Sequence, residues 1–229
     1  MNKIPQSLIV QKISEKSVMK LDVYDKTYET FQELKSIAKE IAEDTKKKIS
    51  KINSKIVVEY NDTGEFEAQL KFAGDMLFLT MHTNVFEFPK DHELMKTSYI
   101  KEDKTRSYCG IINMYNFLAD SFKYNRVNDV GYLIGRTFIN KDYHYMVEGK
   151  RQMGLLYNNF IKETINRDAL KNILISAILY CIEFDLLTPP YETVQEISVM
   201  EMNDNSANLS LKTGKRLGFK FQIDSNDIK

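Results

Sequence analysis

His144 and Glu148 are the residues of this chain best placed to handle a proton. They fall on one side of the alternating run 142–149, and an imidazole near a carboxylate in a closed cleft is the usual equipment for acid–base chemistry. Along a strand the two stand roughly 13 Å apart, too far to share a metal ion without other ligands between them. The preceding run, residues 130–140, sets Arg136 among Phe, Tyr and Ile. A guanidinium in such company must be paired or must reach an edge, and its fork can grip a carboxylate or phosphate. Gly131 and Gly135 sit in the same run. Glycine within a strand marks a bulge or a place where a ligand or another backbone comes close. Gly131, Gly135, Arg136, His144 and Glu148 are therefore the candidate ligand-binding residues, and no residue is assigned as catalytic. Two competing readings stand beside this one: a helix packed on the glycine face, and an Arg136 simply paired with a nearby acid.

The strong chemical signatures are missing from the sequence. It contains no Walker loop, no dinucleotide-binding glycine pattern, no paired-cysteine zinc motif and no His-Glu-x-x-His. Its three histidines, His82, His92 and His144, lie in three distant segments, so no metal site is expected, and no motif names a cofactor. Cys109 and Cys181 are both flanked by apolar residues and read as buried structural thiols, which suits a reducing, cytoplasmic setting. Residues 1–20 lack the continuous apolar core of a signal peptide.

The elements that position the candidates are two strand-like runs joined at Asn140-Lys141-Asp142. Whether the two-residue loop is Asn140-Lys141 or Lys141-Asp142, an even position pairs with an odd one. Tyr132, Ile134, Arg136, Phe138, Tyr143, Tyr145 and Val147 then share one face. Gly131, Leu133, Gly135, Thr137, Ile139, His144, Met146 and Glu148 share the other, and the glycines leave a hollow beside His144.

Around that hairpin the chain reads as follows. Residues 1–20 form an arm, and residues 21–53 a long helix with apolar positions at helical spacing and Lys and Glu on the other side. Strands follow at 55–60, 65–72, 76–83 and 85–88, with clean alternation at Phe66, Ala68, Leu70 and Phe72. The charged stretch 90–106 is a crossing loop, either a lid or a plain connector. Residues 108–125 read as a helix, because Asn113, Asn116, Asp120 and Lys123 recur at helical intervals. A strand is expected at 153–160, then an apolar helix at 168–187 stopped by Thr188-Pro189-Pro190. Strands at 192–202 and 209–223 and a tail at 224–229 complete the chain.

With 229 residues, the chain suits one domain over 21–223. Lys and Arg balance Asp and Glu at 32 each, so nothing global draws nucleic acid or an anionic membrane. No apolar run reaches the length of a membrane span. The element order implies an α+β class: a central antiparallel sheet flanked by helices. In element order it resembles the small-molecule sensor folds of the PAS and GAF kind, with a long N-terminal helix added. The resemblance implies a cytoplasmic ligand-binding or regulatory domain without catalytic activity. The alternatives are an enzyme using His144 with nearby carboxylates and an interaction scaffold with no small ligand. A homodimer is expected through the 21–53 helix or the 168–187 helix, since a helix apolar nearly all round must be covered on several sides.

Overall fold

No glycine or proline interrupts residues 6–52, so nothing in the sequence stops a helix from running the whole length. In the structure, a computed structural model describing residues 6–150, 152–188, 190–200 and 202, it does. Helix α1 spans Ser7–Ile52, 46 residues, and so takes in most of the stretch expected as an N-terminal arm. Its buried side chains begin at Met19 and end at Ala42. Between them Val23, Phe31, Leu34, Ile37 and Ala38 form the stripe that packs on the sheet.

The fold is α+β. Among the described residues seven strands form one antiparallel sheet: β1 (Val58–Gly64), β2 (Glu67–Phe72), β3 (Asp75–Met81), β4 (Phe86–Glu87), β5 (Tyr108–Leu118), β6 (Tyr132–Asn140) and β7 (Tyr145–Gly149). The order is β1-β2-β3-β5-β6-β7, with β4 beside the first residues of β5. The alternation expected in β2 is present, with Ala68, Leu70 and Phe72 buried against the main core. Helix α5 (Arg167–Ile182) lies with α1 on that inner face, and its Leu170, Ile173, Leu174, Ala177 and Cys181 are buried. Asn166 caps it, accepting from the Ala169 amide at 2.9 Å.

Residues 108–118 are an 11-residue strand, not a helix. Residues 109–112 of β5 are buried on both faces, so the polar–apolar alternation that betrays a one-sided strand is lost there. Ile112 and Met114 enter the core beneath α1, while Cys109 and Ile111 join a second cluster on the outer face. Asn113 and Asn116, whose spacing suggested a helix, point to opposite faces of this strand. Only Ala119–Lys123, α3, is helical. The strand expected at 153–160 is also replaced: α4 covers Gln152–Leu156. The chain then passes β7 in irregular conformation, with the Val147 amide donating to the Tyr157 carbonyl at 2.9 Å. At 192–202 the expected strand gives way at its start to a short helix, α6 (Tyr191–Val194). The strand at 209–223 and the tail at 224–229 lie outside the described residues.

The outer face is only partly covered. Residues 93–107 form three short helical turns, the middle one α2 (Ser98–Glu102), over one end of the strands. Phe88, Ile100, Cys109, Ile111, Phe138 and Phe160 make the cluster beneath them. This segment is tied to the hairpin loop. Arg106 donates to Asp142 at 3.2 Å, Lys141 pairs with Asp103 at 2.7 Å, and the buried Asn140 amide donates to the Tyr99 hydroxyl at 3.0 Å.

Candidate functional site

The hairpin loop is three residues long, and that one residue reverses the expected faces. The Tyr143 amide donates to the Asn140 carbonyl at 3.1 Å and the Asn140 amide to the His144 carbonyl at 3.0 Å. Tyr143 takes a positive φ of 61°. This is a turn closed by a left-handed residue, the common three-residue hairpin. The Asn140 side chain fastens it by accepting from the amides of Asp142 and His144. Positions of equal parity therefore pair, Ile139 with Tyr145 and Arg136 with Glu148.

A bulge completes the rearrangement. Met114 pairs with Gly135 but Tyr115 pairs with Leu133, leaving Ile134 extra in β6. Gly135 turns to the inner side, where a β-carbon would lie 2.4 Å from the Met153 methyl. At Gly131 a β-carbon would lie 2.2 Å from the Phe117 ring. Neither glycine opens a hollow: a side chain fills the space at each, which is the close-packing reading of glycine in a strand. His144 is likewise engaged. Its Nδ1 lies 2.9 Å from the Phe160 carbonyl oxygen, and its ring stacks on Tyr99 with centroids 4.7 Å apart. Of the five candidates, the structure brings together Arg136 and Glu148 and leaves the other three elsewhere in the packing.

Those two lie across β6 and β7 on the open part of the outer face, in a groove of about 650 Å³. Arg136 Nε donates to Glu148, and the guanidinium lies 5.1 Å from the centre of the Phe138 ring. Cross-strand register arranges the floor in rows. Asn113, Arg136 and Glu148 form a polar row, and Ile111, Phe138 and Met146 an apolar row beside it. Tyr115 and Leu133 form the next row on the other side. Phe86, Phe88, His82 and His92 make the wall on the β4 side.

The wall histidines have defined tautomers. His82 Nδ1 accepts from the Asn84 amide at 3.0 Å, and His92 Nδ1 accepts from the Leu94 amide at 3.2 Å. With Nδ1 occupied as an acceptor, the neutral ring carries its proton on Nε2. His82 packs edge-on against Phe86 and His92 stacks on Phe88, so aromatic contact fixes each ring plane. Glu87 stands beside Tyr108 in the β4–β5 pairing. Burial first, and that carboxylate second, hold the Tyr108 phenol above its ordinary value. Cys109, in the floor, is fully buried, and burial pushes its thiol well above the usual range. A thiol so protonated is a poor nucleophile.

Beyond Arg136 and Glu148, the groove floor was missed in the sequence because its signal lies in β5. Cys109, Ile111, Asn113, Tyr115 and Phe117 alternate with Gly110, Ile112, Met114 and Asn116. That is a strand apolar on both sides, and the row it lays across the outer face is the groove floor.

Among the described residues no group of three or more His, Cys, Asp or Glu side chains is placed to hold a metal ion. No helix among them is long and apolar enough to cross a membrane. Comparison with protein families, with curated proteins and with solved structures finds no match.

Proposed function

We propose that this protein is a cytoplasmic, non-catalytic ligand-binding or regulatory domain whose small ligand lies in the outer-face groove, and that it works as a homodimer. The observation that carries the ligand reading is the groove itself. Its size is that of small-molecule sites, which are mostly apolar with a few convergent polar groups. Here an aromatic and aliphatic floor carries one exposed charged pair, Arg136 with Glu148. The buried cysteines Cys109 and Cys181, which form no disulfide with each other, support a reducing compartment. The homodimer rests on the outward side of α5, where Ile175, Leu179 and Ile182 are exposed at helical spacing. An enzyme built on His144 draws no support from this site, since that ring is spent on Tyr99 and the Phe160 carbonyl.

A thermal-shift screen of a metabolite library tests the ligand reading. A ligand at a hundredfold excess over its Kd stabilises the native state by about 2.7 kcal/mol, a shift of several degrees. Leu133→Trp narrows the groove from an exposed floor position without entering the inner core. We expect at least one compound to stabilise the wild type and to lose its effect on this variant. If no compound stabilises the wild type, or every hit survives the substitution, the protein is an interaction scaffold with no small ligand.

A further inference from the structure

We infer that the groove takes an amphiphilic monocarboxylate, its carboxylate on Arg136 and its apolar body over Ile111, Phe138 and Met146. This rests on the ligand-binding reading above and specifies the ligand's chemistry. The argument is an inventory of donors and acceptors. Glu148, the acid of the polar row on the floor, already has a donor in Arg136 Nε. The donors are in surplus. Arg136 spends only its Nε edge on Glu148, and among the described residues its two terminal nitrogens have no hydrogen-bonding partner. Those two nitrogens form the other flat edge of the guanidinium, the one that receives a carboxylate through two parallel hydrogen bonds. His82 and His92 add Nε2–H donors on the wall, because their Nδ1 atoms are held by main-chain amides.

The position of that edge sets the rest of the ligand. Arg136 stands in the polar row, and the row of Ile111, Phe138 and Met146 lies two residues further along the strands, roughly 7 Å away. Cys109 continues the apolar floor beyond it, with Phe86 and Phe88 above. A carboxylate held at Arg136 therefore carries its apolar body onto buried carbon and not into water. A neutral apolar ligand would bury the guanidinium edge unsatisfied, and a polyanion would bring further charge onto the aromatic floor, both costly arrangements.

The test compares octanoate with octanamide, which differ in charge and not in chain, by calorimetric titration into the wild-type protein. We expect octanoate to bind at least tenfold more tightly. In Arg136→Met, which keeps an apolar stem, octanoate should fall to the octanamide level. Arg136→Lys should recover only part of the difference, because a point charge lacks the flat two-donor edge. Lys20→Met, an equal change of charge at an exposed position of α1, should change neither probe. Arg136 and Glu148 are both substantially exposed, so the variants should keep the wild-type circular dichroism and unfolding midpoint. Equal binding of the two probes, with no response to Arg136→Met, overturns the carboxylate assignment and leaves the groove as a site for neutral ligands. Failure of both probes to bind overturns the assignment as well, and the library screen then decides separately whether the groove binds anything.

Discussion

Asp103 shows how single side chains hold the outer face in place. Its carboxylate accepts from Lys141 Nζ at 2.7 Å, and from the amide and hydroxyl of Thr105 at 2.9 and 2.5 Å. The Lys141 hydrogen bond first, and Thr105 second, hold its pKa down to about 2 from an ordinary 3.8. A pKa lowered by folding means stability that is present above the unfolded value and lost as pH falls through the folded one. The pair should therefore contribute fully above pH 3.8 and progressively less down to about pH 2. A shift of that size corresponds to at most roughly 2.5 kcal/mol, and solvent at this partly exposed pair reduces it to about 1 kcal/mol. Asp103→Asn should lower the urea-unfolding free energy by that amount at pH 7. The gap between variant and wild type should close as the titration approaches pH 2, and a gap that is constant with pH would place the loss elsewhere. The ion pair joins residues 38 apart in sequence, and nothing in the charged run 101–104 announced its partner.

At the scale of elements, α1 lies close against β5 at Gly110. A β-carbon on Gly110 would lie 2.1 Å from the Thr27 hydroxyl oxygen and 2.7 Å from its β-carbon. Thr27 is buried, and its hydroxyl already donates to the Val23 carbonyl at 2.7 Å, so the side chain has nowhere to turn. Gly110→Ala must push the helix off the strand, at a cost of about 1–3 kcal/mol typical of overpacking. Removing the opposing side chain tests the cause. In a double-mutant cycle with Thr27→Gly the two losses should be less than additive. Full additivity in urea unfolding would show that the contact is not what Gly110 protects. A long amphipathic helix and a one-sided strand were legible in the sequence: the stripe of Tyr24, Tyr28, Phe31, Leu34, Ile37 and Ile41 and the alternation of β2 need only one buried face each, although Ile52, which continued the helical spacing, is exposed. The hairpin faces were not, because register depends on a loop length that Asn140-Lys141-Asp142 leaves open by one residue. The left-handed conformation falls on Tyr143, a residue type that gives no warning of it. The Ile134 bulge then separated Gly131 from Gly135 and removed the expected hollow. Arg136 and Glu148, placed on opposite faces by the wrong parity, became partners by the right one.

For the molecule as a whole, the unresolved claim on the fold is the outer side of α5. Its inner side is spent on the sheet and α1, yet Ile175, Leu179 and Ile182 continue an apolar stripe into solvent, with Leu186 and Leu187 exposed just beyond the helix end. The sequence pointed to this helix as apolar nearly all round, and one fold accounts for only half of it. A stripe of this kind is the buried centre of an interface more often than a free surface. A stable contact needs about 1,200 Å² of total buried surface or more; in the proposed homodimer a second α5 with the residues following it meets this one across a twofold axis, where each exposed residue is used twice. Native mass spectrometry and light scattering should therefore give twice the 26.7 kDa of one chain. Leu179 stands in the middle of the stripe, about half exposed, so a charge there is well solvated in the free chain and desolvated without a partner in a dimer. Leu179→Glu should return the mass to that of one chain with little change in the circular dichroism. A wild-type protein that remains a single chain at micromolar concentration removes the homodimer, and a dimer indifferent to Leu179→Glu moves its interface away from α5.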